Sequence, residues 1–262
     1  MTRPDRRYPL AALALVLCSM LLAGIAPAAT APTDVEKQLT QLLSRRFPGV
    51  KIDAVEPSPI PGLYQVISGD KVVYVDASGD HLIAGNMMDT QTKMNLSEEA
   101  VDDRYAVDFK TLPVGDAIKI VRGNGKRKLA LFEDPDCPFC QQMERGMASM
   151  SDVTIYLFLF PIPQLHPNAL KDARLIWCSP DRASAWTNWM VYRTPIPGGG
   201  SCADDPIARI NTLAQSLHIT ATPTIFLQNG HRIGGAIPMG QLQQMMAQAS
   251  NAPLAAAKTS PN

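Results

Sequence analysis

The sequence predicts an α+β protein in two unequal parts joined by a charged helix. Three observations carry that prediction. Residues 33–96 read as one amphipathic helix and then short strands separated by glycine and aspartate turns. Residues 97–113 open on a run of charge, Glu98, Glu99, Asp102, Asp103 and Arg104, punctuated by Val101 and Tyr105. Residues 114–251 then alternate strands and helices around Cys137-Pro138-Phe139-Cys140.

The first 28 residues stand outside that frame. Arg3, Arg6 and Arg7 precede an apolar run from Leu10 to Ile25, and Ala26-Pro27-Ala28 offers small residues for cleavage. This is the layout of a cleavable signal peptide, preferred here to an uncleaved anchor. Cys18 follows Leu17, where a lipoprotein site would need a small residue, so lipidation is not expected.

Thr33-Asp34-Val35-Glu36 reads as a capping box opening a helix, with Val35, Leu39, Leu42, Leu43 and Phe47 on one face and Pro48-Gly49 as its stop. Strands are expected at Lys51–Glu56, Leu63–Ser68, Lys71–Asp76 and His81–Met87. One helix and four strands make a small core, which argues for a partner subunit or a neighbouring domain. A helical linker over residues 97–113 follows. Ala117–Arg122 and Lys128–Phe132 are expected to form a hairpin around Gly123-Asn124-Gly125.

A helix should open at Pro138, which has no N–H to leave unpaired at the first helical position. Cys140, Met143, Met147 and Met150 give it one apolar face, read as core filling. Strand Val153–Phe160, helices over Asn168–Tyr192, a Gly198–Gly200 loop, a helix near Pro206–Leu217, strand Thr222–Leu227, a turn at Asn229-Gly230 and a helix over Met239–Ala249 complete the order. Residues 252–262 are compositionally a disordered tail.

The chain carries 24 basic and 24 acidic side chains, which gives no sign of a nucleic-acid or anionic-membrane partner. Removal of the signal peptide leaves Cys137, Cys140, Cys178 and Cys202. Spacing favours the pairs 137–140 and 178–202 among the three possible. In an exported chain such bridges persist. The 178–202 bridge is read as structural, in preference to redox-active, and is worth about 3 kcal/mol in the chain-entropy model. Cys137, at the positive end of a helix, is set to be a thiolate, with Cys140 as a second thiol to release what Cys137 captures. A zinc site would need four ligands. His81, His166, His218 and His231 show no ligand spacing with the cysteines, so neither metal nor cofactor is expected. His166 is read as a loop residue. Glu133, Asp134 and Asp136 are read as a solvated acidic rim that could raise the Cys137 pKa.

The residues also resemble a known family. Strand, CxxC helix, strand, helical insertion, X-Pro strand and final helix follow the order of a thioredoxin fold. Phe132-Glu133-Asp134-Pro135-Asp136-Cys137-Pro138-Phe139-Cys140, Trp177-Cys178 with Cys202, Thr222-Pro223 and the segment His81–Asp89 resemble the periplasmic disulfide isomerases of the DsbC/DsbG family, nearer DsbC. The resemblance implies a cystatin-like N-terminal dimerisation domain (33–96), a helical linker (97–113) and a thioredoxin-like catalytic domain with a helical insertion (114–251). It implies a cis peptide at Thr222-Pro223 that sets Thr222 beside Cys137 to bind substrate. Leu131 stands where cytoplasmic thioredoxins keep a buried aspartate, which fits a less reducing enzyme. Pro138-Phe139 is nearer the Pro-Tyr of DsbG than the Gly-Tyr of DsbC.

The function implied is a periplasmic, homodimeric disulfide isomerase acting on misfolded exported proteins, with chaperone-like binding of unfolded chains, Cys137 and Cys140 catalytic and a membrane thiol reductase of the DsbD type as electron donor. Its rivals are a DsbG-like reductase of single oxidised cysteines, a holdase chaperone with secondary redox activity, and a monomeric oxidase.

Overall fold

A computed structural model of the chain describes residues 33–196 and 202–251. The expected signal peptide, the Gly198–Gly200 loop and the tail lie outside them. Helix α1 (Asp34–Arg46) opens on the capping box: Thr33 N donates to Glu36 Oε2 at 2.7 Å, and Glu36 N to Thr33 Oγ1 at 3.4 Å. Leu39 and Leu43 face an antiparallel meander of β1 (Ala54–Pro57), β2 (Leu63–Ser68), β3 (Lys71–Asp76) and β4 (Leu82–Ala84). Val55, Val66 and Val75 complete that core. Phe47, expected on the buried face, lies past the helix end and is exposed. The first strand starts later than expected. Asp53 is held by side-chain bonds instead, accepting from Gly69 N at 2.7 Å and Tyr105 Oη at 3.0 Å. Strand β4 is shorter than expected, and all three of its residues are exposed.

The linker helix is also shorter. Helix α2 (Leu96–Arg104) is capped by Asn95 and stops at Tyr105. Tyr105, Val107 and Phe109 then bury apolar side chains at a spacing of two, a period that suits extended chain and not a helix. A 3₁₀ turn at Phe109–Thr111 follows, and Val107 N bonds Gly230 O at 3.0 Å.

The second sheet runs β5-β7-β6-β8-β9, from β5 (Ile118–Gly123), β6 (Arg127–Glu133), β7 (Asp152–Leu159), β8 (Thr224–Leu227) and β9 (Arg232–Gly234). This overturns the expected hairpin. β5 pairs antiparallel with β7, and β6 lies between β7 and β8. Two features decide it. β6 is apolar on both faces and takes the centre, whereas β5 alternates buried and exposed residues and suits an edge. The Gly123–Gly125 turn crosses the start of β7, with Asn124 N bonded to Ser151 O at 3.2 Å. Gly123 has φ +60, and a Cβ there would fall 1.5 Å from Ser151 O.

Helix α3 (Pro138–Met147) is the crossover between parallel β6 and β7. The helical insertion is α4 (Ala169–Trp177) and α5 (Arg182–Met190). It is followed by α6 (Ile207–Ser216) and α7 (Met239–Asn251). Leu129 and Leu131 face the core built with α3, α5 and α7; Ala130 and Phe132 face the core built with α6. Met143, Met147, Met150 and Met246 are buried in the first of these.

Candidate active site

The end of β6 delivers the chain to α3, and that junction builds the site. Cys137 is the N-cap of α3 and Pro138 its first residue. Cys137 N bonds Asp134 O at 3.1 Å, which folds the approach loop back, and Cys140 N points at Cys137 Sγ at 3.5 Å. The two cysteines are separate thiols, both buried, with Cys137 3% exposed.

Their environments differ sharply. The Cys137 thiol is lowered to about 6, first by its hydrogen bond from Cys140, against burial, and then by the Thr222 side chain and the N–H groups of Cys140 and Phe139. Burial pushes Cys140 far up, and the Cys137 and Glu133 side chains add to it. One sulfur is therefore ready to attack at neutral pH and the other is held protonated.

Thr222-Pro223 precedes β8 in the cis form. As a thiol, Cys137 donates to the Thr222 carbonyl at 3.5 Å, so the structure brings Cys137, Cys140, Thr222 and Pro223 together. Phe139 (61%), Leu165 (67%) and Tyr192 (67%) are large apolar side chains left exposed, the first within the motif itself. Cys178 and Cys202 are bonded to each other, joining the end of α4 to the approach to α6.

The acidic rim is a correction. Only Asp136 is partly exposed. Glu133 and Asp134 are fully buried, because β6 stays inside the molecule to its last residue. Asp134 ties two loops together: its carboxylate accepts from Asp136 N at 2.8 Å, Ile162 N at 2.7 Å and His166 Nδ1 at 3.0 Å. His166 lies in a loop, as expected, and this bond holds it there. Burial opposes its charged form, but the Asp134 bond and charge outweigh it, with help from Cys137 and Asp136, and raise the imidazole. Beneath α3, Glu144 is also fully buried. Its Oε2 accepts from Arg122 Nη2 at 3.1 Å and its Oε1 from Trp186 Nε1 at 3.0 Å.

Sequence reasoning missed Glu133 as a buried group, Glu144, Arg122 and Trp186. Two signals pointed to the glutamates. Glu133 continues the alternation of Leu129 and Leu131, and Glu144 falls four residues after Cys140 on the apolar face of α3.

Comparison with known proteins agrees with this geometry. Residues 114–250 match the thioredoxin-like domain family, and residues 26–98 match the disulfide bond isomerase protein N-terminal domain. The chain is 34% identical over 215 residues to the probable thiol:disulfide interchange protein DsbC of Bordetella pertussis, covering 82% of this chain and 75% of that one. It is 26% identical over 202 residues to the thiol:disulfide interchange protein DsbC of Escherichia coli K12, covering 76% of this chain and 82% of that one. A crystal structure of a disulfide interchange protein from Neisseria gonorrhoeae superposes with a TM-score of 0.51 at 44% identity, over 53% of this chain and 98% of that one.

Proposed function

Because this protein belongs to the DsbC family of thiol:disulfide interchange proteins, and so is a thiol:disulfide oxidoreductase, we propose that it repairs wrongly paired disulfides in exported proteins through Cys137 and Cys140. The observation that carries this reading is the unequal placement of the two thiols: Cys137 is the N-cap of α3 with Cys140 N pointing at its Sγ, and Cys140 is shut inside the core. A poised Cys137 captures a substrate sulfur, while a protonated Cys140 leaves the mixed disulfide time to rearrange.

The Cys137 thiolate attacks one sulfur of a wrong disulfide, and the other substrate sulfur leaves as a thiolate with the bonding electron pair. A second substrate thiolate then attacks the mixed disulfide and expels Cys137, so the cycle ends with no net redox change. If Cys140 attacks first, the substrate leaves reduced and the Cys137–Cys140 pair is oxidised. Two electrons from a membrane thiol reductase of the DsbD type then restore it. Thr222, whose carbonyl faces Cys137, pairs with an extended substrate segment, and the exposed Phe139 and Leu165 give apolar footing for unfolded chain.

The N-terminal domain supports a homodimer, and the exposed β4 edge with Leu82 and Ile83 is its natural seam. The leader at residues 1–28 directs the chain to the periplasm. No helix among the described residues is long and apolar enough to cross a membrane. Pro138-Phe139, nearer the DsbG dipeptide, favours reduction of single oxidised cysteines as a second activity.

The test is reactivation of a scrambled, fully oxidised multi-disulfide protein. Wild type restores activity and Cys137→Ser does not. Reactivation that survives Cys137→Ser sinks the isomerase reading. Suppression of aggregation that persists in Cys137→Ser identifies a separate holdase activity. A monomer by mass in solution would overturn the dimer.

A further inference from the structure

The apolar cores of the two parts of the chain meet end to end without merging. Tyr105 is buried with Ile67 and Val101 in the N-terminal part, and Val107 with Phe109 and Phe132 in the catalytic part. Only Ala106 stands between them. Among the described residues no apolar cluster spans the seam. Polar and aromatic contacts close it instead. Asp102 of α2 accepts from Gly234 N at 3.4 Å, and its other oxygen lies 3.7 Å from Arg232 Nε. Asp103 Oδ1 lies 3.6 Å from His231 Nδ1. Thr220 Oγ1 donates to Asp70 Oδ2 at 3.1 Å, and Tyr105 stacks on His218 at 4.6 Å.

This seam is under-paired. Arg232 is 4% exposed, yet among the described residues its Nε and Nη1 have no hydrogen-bond partner. A cavity of about 410 Å³ runs beside it, lined by Asp70, Lys71 and Asp102 on one side and Thr220, Arg232 and Gly235 on the other. A buried charge short of partners costs the closed arrangement free energy, and a polar seam between two separate cores is one that can part.

We propose that the seam is a proton-operated clasp: it closes when His231 carries a proton and pairs with the carboxylates of α2, and it opens about Ala106 as that proton leaves. The inference goes beyond the exchange assigned to Cys137 and Cys140 and does not rest on it. Facing His231 are Glu99, Asp102 and Asp103, all from α2. Facing Asp102 are Arg232, His231 and Glu98, and facing Arg232 are Asp102, Tyr105 and Asp70 of the β2–β3 turn. No cation of α2 faces His231, so its protonation meets three acids.

The sign follows from what closure does to each group. Asp103 raises the His231 imidazole most, against burial, with Asp102 and Glu99 adding to it. The pairing is therefore complete below the ordinary value of 6.5 and is lost as pH rises through the raised one. Burial also lifts Asp102 to about 6, against Arg232 and His231, so closure takes up protons at both groups. Acid closes the clasp and alkali releases it.

The experiment measures the distance between the two parts in the full chain. Fluorophores are placed on non-canonical side chains at the exposed Gln41 of α1 and Gln215 of α6, which leaves every cysteine unmodified. Labelled chain is diluted into unlabelled chain, and single-molecule energy transfer is read from pH 6.5 to 8.5. The ratio of closed to open molecules is expected to fall by about three- to tenfold across that window, and His231→Ala to flatten it. A wild-type ratio that changes by less than about twofold overturns the proposal, as does a full response that survives in His231→Ala. His81→Ala, remote from the seam, is expected to respond as wild type, and loss of its response overturns the assignment to His231. Should His231→Ala not fold, Asp103→Asn tests the other side of the seam. Its transition is expected at lower pH than in wild type, and an unchanged midpoint overturns the clasp.

Discussion

Cys137 and Cys140 share a turn of chain, and almost nothing else about their surroundings is alike. N–H groups converge on the first, while the second is shut in with a carboxyl. The Cys137 thiol is depressed to about 6 from an ordinary value of 9.0. Such a group stabilises the fold fully above the ordinary value, and that contribution is lost as pH falls through the folded one. Reduced protein is therefore expected to gain stability between about pH 6 and 9, measured by denaturant unfolding against Cys137→Ser. A flat difference across that window would refute the depressed thiol. Cys137, Cys140, Thr222 and Pro223 were legible as motif residues. Asp134 was not, because an acid-rich approach loop and an acid-rich buried strand end are spelled alike, and for Glu133 only its alternation with Leu129 and Leu131 speaks for burial. Only the full burial of β6 separates them.

At the scale of elements, periodicity located α1, β2, β3 and α3 well, since each buries one face or one stripe. It failed where partners are remote. Gly123-Asn124-Gly125 has the composition of a hairpin turn, yet it serves as a bridge across the start of β7. The charge over residues 98–104 suggests a longer linker helix than forms, because the two-residue spacing of Tyr105, Val107 and Phe109 suits extended chain. Gly123→Ala is expected to cost about 2 kcal/mol or more, since it combines a positive φ with a clash against backbone. Gly115→Ala, where nothing lies within 4 Å, serves as the control. Equal denaturation midpoints for the two variants would contradict the crossing.

For the whole molecule, the two parts of the chain meet through side chains neither shows on its own. Tyr105 stacks on His218 at 4.6 Å, and Asp102 lies 3.7 Å from Arg232. Such contacts leave no trace in a sequence pattern. The Cys178–Cys202 bridge closes a span of 24 residues, and its removal in the double serine variant is expected to lower stability by about 3 kcal/mol. Exchange at Cys137 should persist in that variant under conditions where it remains folded. Loss of mixed-disulfide formation there would make the bridge part of the redox chemistry and not only of the scaffold.

The bridge has one more consequence, which concerns the order in which the chain is made. Among Cys137, Cys140, Cys178 and Cys202, bonding of Cys178 to Cys202 leaves the first two for each other. Each cysteine's mate is thus the next one to emerge. Oxidation in order of emergence lands on the native arrangement, so a corrector of other proteins' crossed bonds can mature without first needing a corrector of its own.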